Sequence, residues 1–166
     1  EPDEAVQKLY DIIDEDPEFM DAYAAIGWRE FELFNYGLAF THFISAYNIG
    51  ADLIPQTFSG MIPWAIQENR PFLNTMHGLG LVYEKMEEYD TADEVFSYLL
   101  SYNPADNQGI RVLTVENKLL LGDFEGVLDI CSLYENDTMP DLMYGMVAAN
   151  YKLNETEKAE KALQEA

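Results

Sequence analysis

Residues 73–106 place Gly80, Tyr83, Tyr89, Ala92, Phe96 and Pro104 at positions 8, 11, 17, 20, 24 and 32 of a 34-residue unit. Few folds accept that spacing. Small residues at positions 8 and 20 let two antiparallel helices approach closely. The aromatics at 11, 17 and 24 fill the space around that contact, and the proline at 32 stops the second helix. The unit is therefore a helix–turn–helix, and such a unit buries its apolar face only by stacking on neighbours.

The same register runs through the rest of the chain. Ala5, Leu9, Ile12 and Pro17 fall at positions 20, 24, 27 and 32, so residues 1–19 read as the second half of a unit, or as a cap. Pro2, Asp3 and Glu4 suit a helix start, because negative charge there meets the positive end of the helix dipole. A unit follows over 20–53, with Gly27 at 8, Ala39 at 20 and Phe43 at 24. Its helices are expected at 18–33 and 37–49, with Gly50 as a C-cap. Residues 54–72 break the register. Pro55, Pro63, Pro71 and Gly60 exclude one regular helix there. This insertion reads either as a loop packing Phe58, Met61, Ile62 and Trp64, or as a lip beside a groove. Pro71 starts the next helix. Further units occupy 73–107, 108–139 and 140–166, the last also suiting a C-terminal cap. Asp106 or Asn107 is expected to cap the helix that runs to Leu121. Gly122 to Phe124 forms the turn, and Val127 and Cys131 take positions 20 and 24. In the final helix Glu157–Lys161 and Glu155–Lys158 are at ion-pair spacing.

This is the pattern of a tetratricopeptide (TPR) repeat, and the fold expected is all-α: a TPR-like right-handed solenoid of antiparallel helix pairs in one domain. A narrower resemblance covers Trp64 to Val127. The tryptophan-containing insertion, Glu68-Asn69-Arg70-Pro71-Phe72, and the run NPADNQGIR from Asn103 to Arg111 resemble a bacterial TPR family related to the suppression-of-tumorigenicity-7 proteins. Members of that family carry E-T-R-P-Y and N-P-x-D-N-Q-G-I-R at these places, from which Asn69 and Phe72 depart conservatively. The resemblance implies that Arg70, Pro71, Asp106, Asn107, Gln108, Gly109 and Arg111 form a shared structural junction. It implies a fold and no reaction.

Charge narrows the partners. Thirty-one acidic and nine basic residues leave a net charge of −22, which repels nucleic-acid phosphates and anionic lipid. A basic or neutral protein or peptide fits better; the acidity also serves plain solubility. With 48 % hydrophobic and 13 % aromatic residues the chain has the material for a core and is no disordered acidic tail. No apolar run reaches the ~20 residues of a membrane span. No leader is apparent, although a chain beginning at Glu1 leaves room for a removed one, and a cytoplasmic location is expected. The two Asn-x-Thr patterns at Asn136 and Asn154 read as chance. The single cysteine, Cys131, lies on an apolar helix face and reads as a buried thiol.

The first helix of each TPR unit lines the concave surface. Trp28, Asn74, His77, Glu116, Tyr144 and Tyr151 fall there, an aromatic and amide set suited to a peptide groove. Carboxylate-clamp TPRs need Lys, Arg and Asn where Ala24, His77, Gly109 and Leu113 stand, so a chain-terminal carboxylate is a poor fit. His42 and His77 have no Cys or carboxylate at metal-ligand spacing, and no HExxH, CxxC or EF-hand pattern occurs. Arg70 and Arg111 are expected either to pair with nearby acids, the favoured reading, or to grip a partner carboxylate bidentately. The function expected is a non-catalytic interaction scaffold with no metal and no cofactor. A self-assembling homo-oligomer is the second reading and an enzyme a distant third.

Overall fold

The computed structural model describes residues 2–166, with side chains from Glu4 onward. The negative charge expected at Asp3 lies outside the described side chains. Every described element is helical. The chain divides into two compact units between Asn107 and Gln108.

The first unit contains α1 (Pro2–Glu15), α2 (Met20–Glu32), α3 (Tyr36–Asp52), α4 (Arg70–Lys85) and α5 (Tyr89–Tyr102), with a short 3₁₀ turn at Gln67–Asn69 ahead of α4. α2 packs on α3 and α4 on α5, as TPR-like pairs, while α4 also lies against α2 and α3. The second unit contains α6 (Ile110–Leu121), α7 (Phe124–Leu133), α8 (Pro140–Lys152) and α9 (Thr156–Glu165). There α6 pairs with α7 and α8 with α9, and α8 rests on both α6 and α7. The all-α, paired-helix class expected from the sequence is the class observed.

Small residues set these contacts. Gly27 and Gly80, the position-8 glycines, each face a fully buried phenylalanine: a Cβ on either would lie under 3.0 Å from the ring of Phe43 or Phe96 respectively. Gly50 corrects the sequence expectation. It is no cap, because α3 continues to Asp52. It is buried, and a Cβ there would strike the Phe72 ring and the Met20 sulfur. Its value is absence of bulk where α4 and α2 approach α3.

Asp106 and Asn107 also depart from expectation. Helix α6 begins at Ile110, with Gly109 before it at φ 74°. Asp106 itself turns left-handed at φ 45°, its N–H donating to the Asn103 carbonyl at 2.9 Å. The N-cap position is thus held by the permissive Gly109 and by neither Asp106 nor Asn107. In α9, Lys158 reaches Glu155 at 3.4 Å as expected, whereas Lys161 reaches Glu165 at 3.7 Å.

All four turns within helix pairs share one construction. Phe34, Glu87, Gly122 and Asn154 have φ of 61°, 63°, 74° and 62°, and each is position 15 of its unit. The residue after each donates its N–H to a carbonyl five residues back at 2.9 Å: Asn35 to Glu30, Glu88 to Tyr83, Asp123 to Lys118 and Glu155 to Asn150. This is the left-handed closure of a Schellman motif, which glycine and asparagine tolerate and bulky residues resist. Phe34 is the anomaly, being 76 % exposed and so gaining little from burial. Phe34→Asn is expected to stabilise the protein by about 0.5–1 kcal/mol, a rise in Tm of about 2 °C by calorimetry. A fall would show that the contact of the Phe34 ring with Tyr36, at 6.3 Å, outweighs the backbone strain.

Candidate partner-binding surfaces

The structure sorts the expected groove residues into two groups, one in each unit. In the first unit Trp28 from α2 and His77 from α4 come together, ring centroids 5.5 Å apart and nearly perpendicular. Trp28 also meets Phe43 at 5.3 Å and Phe31 at 5.9 Å, both edge-on. Three aromatic contacts therefore engage its indole, and that engagement ties α2, α3 and α4 together. Asn74 stands one turn before His77 on the same face of α4 and is half-buried. Burial holds the His77 pKa below the ordinary histidine value, against an opposing pull from Asp106, so the imidazole at this contact is neutral at pH 7.

His42 belongs to a separate packing site. Its Nε2 lies 3.4 Å from the Tyr10 hydroxyl, and its ring faces Tyr10 and Tyr23, joining α3 to α1 and α2. Burial lowers its pKa too. Among the described residues no group of three His, Cys, Asp or Glu side chains is placed to hold a metal ion.

The insertion is both packed and open. Its C-terminal half is pinned. The Ile62 N–H donates to the Tyr102 carbonyl at 2.8 Å, and the Trp64 N–H to the buried Asn103 side chain at 3.3 Å. Asn69 Nδ2 donates to the Pro63 carbonyl at 2.9 Å. Arg70 does not need the acid expected for it: its Nε donates to the Trp64 carbonyl at 3.0 Å, and the guanidinium lies 5.3 Å from the indole centroid. Pro71 lies in the first turn of α4, and its carbonyl accepts the Thr75 hydroxyl at 2.9 Å. The insertion also walls an apolar groove of about 380 Å³, lined among others by Leu53 at the end of α3 and by Phe58, Met61 and Ile66, with Glu68 as its charged residue. Leu53 is 78 % and Met61 63 % exposed. Periodicity could not show this groove, because the segment has no period.

In the second unit Glu116, Tyr144 and Tyr151 are exposed. Tyr144 and Tyr151 do not stand on a bare helix face. They line a second apolar groove of about 380 Å³ between α8 and α9, with Val147, Ala159 and Leu163. Arg111 forms an ion pair with Asp137 and lies 5.5 Å from the Tyr134 ring centroid. Of the junction residues, Arg70 is thus engaged within the first unit and Arg111 within the second. Asp106 is buried, while Gln108 and Gly109 are half-buried and Asn107 exposed. Cys131 is buried beside the Leu142 carbonyl, and burial pushes its thiol pKa up to about 11, with Asp137 adding to the effect. Such a thiol stays protonated and unreactive at neutral pH.

No protein-family model and no curated protein matches this chain. A solved structure from a functional characterization of Pseudomonas aeruginosa pilF is similar to it, with a TM-score of 0.68 and 15 % identity. The similarity covers 99 % of this chain and 67 % of that one. That protein contains TPRs, and at this identity the likeness speaks to the TPR-like fold alone. Among the described residues no helix is long and apolar enough to cross a membrane.

Proposed function

We propose that this protein is a non-catalytic scaffold that holds a protein or peptide partner, and that the groove beside the insertion is its principal contact. The TPR-like fold supports an interaction role in general. The observation that carries the site is the insertion itself. A repeat needs no extra residues between α3 and α4 to stack, yet here residues 54–69 are held in place at Ile62, Trp64 and Asn69 and, together with Leu53 just before them, present Phe58, Met61 and Ile66 on the surface. An apolar patch rimmed by polar residues is the form an interaction site takes. Methionine and phenylalanine walls adapt to an apolar anchor. Glu68 and the net charge of −22 favour an anchor flanked by Lys or Arg. Trp28 is not proposed as the main anchor, since three neighbouring rings already engage it.

The test is fluorescence anisotropy with labelled peptides that carry a Leu-, Phe- or Met-centred core between flanking lysines, compared with glutamate-flanked versions. Saturable binding of the lysine set is expected, weakened at least tenfold by Met61→Asp and by Leu53→Asp. Both side chains are exposed, so the fold should tolerate either change. Equal binding by the wild type and both variants would sink the reading.

A further inference from the structure

We infer that the groove between α3 and α5 is a recognition site for a methylated ammonium group, held by three tyrosine rings and one carboxylate.

The site is built from three helix faces. Tyr47 comes from α3, Met76, Leu79 and Tyr83 from α4, and Glu94 and Tyr98 from α5, and together they line a groove of about 200 Å³. Residues 76, 79 and 83, and likewise 94 and 98, recur at three- and four-residue intervals, so each set shares one face of its helix. Helices α3 and α5 both pack on α4, which makes α4 the floor and the other two the walls. Every wall comes from inside the first compact unit.

Two of the tyrosines are held in place by other rings. Tyr47 stacks on Phe72, centroids 5.8 Å apart and planes 23° apart, so one face of its ring is spent and the other is left. Phe72 in turn lines the insertion groove, which makes the two sites neighbours with separate linings. Tyr83 meets Phe40 edge-on at 5.5 Å. Tyr98 is the exposed member, at 61 %. Beneath them Met76 and Leu79 are buried, and their side chains offer no oxygen or nitrogen.

This mixture decides the ligand. Among the described residues no base lines the groove, Glu94 does, and Glu88 acts on the Tyr83 phenol, so an anion is opposed. The Tyr83 pKa is raised, by burial first and then by Glu88 and Tyr47, so its ring is a neutral phenol at pH 7. An uncharged ligand would leave the Glu94 charge unused. A primary ammonium brings three N–H donors that an apolar floor cannot satisfy, and removing its water is costly. A methylated ammonium spreads the same charge over an apolar shell, needs no acceptor, and is attracted to the faces of aromatic rings. Choline-type small molecules and methylated lysine side chains both carry that head.

The test follows amide NMR shifts of the isotope-labelled full chain during titration with four probes. These are choline, the amide of N-acetyl-trimethyl-lysine, its unmethylated counterpart, and the uncharged tert-butyl isostere of choline. Saturable shifts on α3, α4 and α5 are expected with a trimethylated probe, and the tighter of the two names the source. The isostere and the unmethylated lysine are expected to bind at least tenfold more weakly. Tyr98→Leu is expected to weaken binding about fivefold and Glu94→Gln about threefold. Both positions are exposed, so either variant should fold, and circular dichroism checks this. Met61→Asp should leave the binding unchanged, which separates it from the insertion groove. Any of four results would overturn the inference: no saturable binding of either trimethylated probe; equal binding of the isostere, which would make the groove merely apolar; equal binding of the unmethylated lysine; or binding indifferent to both Tyr98→Leu and Glu94→Gln.

Discussion

Gly78→Ala is expected to destabilise the first unit by about 2 kcal/mol, although the same change at Gly37 is expected to stabilise it by up to about 1 kcal/mol. Both glycines are helical, and alanine is the better helix former by ~1 kcal/mol. What differs is the neighbour. Nothing lies within 4 Å of a Cβ at Gly37. At Gly78 a Cβ would lie under 3.0 Å from three atoms of the Phe43 ring. That ring cannot retreat: it is fully buried, Gly27 closes on it from α2 with a Cβ distance of 2.8 Å, and Trp28 stands edge-on at 5.3 Å. Overpacking of this kind costs ~1–3 kcal/mol or more, which exceeds the propensity gain. Phe43→Leu should then relieve part of the clash. The double variant is expected to be at least 1 kcal/mol more stable than the sum of the two single effects predicts, measured by urea unfolding. Simple additivity would show that Phe43 and Gly78 do not press on each other.

The repeat pattern made the within-pair packing legible, and it did so because that packing is local. Gly27, Gly80, Ala39, Ala92, Phe43 and Phe96 sit where positions 8, 20 and 24 put them, all buried. The left-handed residue recurs at position 15 in all four turns, whatever its identity. Contacts between repeats were harder to read. Gly50, Gly78 and Gly145 matter for what a helix of a neighbouring repeat brings against them, and no spacing inside one unit encodes that. Arg70 and Arg111 illustrate the same limit. Their conspicuous charge is visible in an acidic chain, but their partners are a backbone carbonyl six residues back and an aspartate twenty-six residues on. At the candidate sites the residue types were legible and their exposure was not. Tyr144 and Tyr151 proved open, whereas Trp28 and His77 are half-buried with their rings in contact.

Loss of the Asp137 carboxylate is the other change with a large expected effect, and its size depends on pH. Asp137 and Arg111 are mostly buried, their side chains 13 % and 20 % exposed. Oδ1 of Asp137 accepts the Met139 N–H at 2.8 Å, and Oδ2 takes the Arg111 guanidinium. These two donors, the Met139 N–H first, hold the Asp137 pKa below the ordinary aspartate value despite burial. A carboxyl depressed in the folded state contributes stability that is complete above the unfolded pKa of ~3.9 and disappears as pH falls through the folded value. Breaking a fully buried pair costs about 3–5 kcal/mol; with this much residual exposure about 2 kcal/mol is expected for Asp137→Asn at pH 7. The amide still accepts from Met139, so the loss reports the Arg111 charge left behind. As pH falls through the folded-state value and the wild-type carboxyl takes up its proton, the gap between the two proteins should shrink. Asp123, whose pKa is lowered chiefly by its hydrogen bond to Lys118, supplies an acid limb common to both proteins and cancels in the difference. Urea unfolding from pH 7 down to pH 2.5 measures that gap. A gap that stays constant across the range would mean that the ion pair contributes shape and no charge-dependent stability.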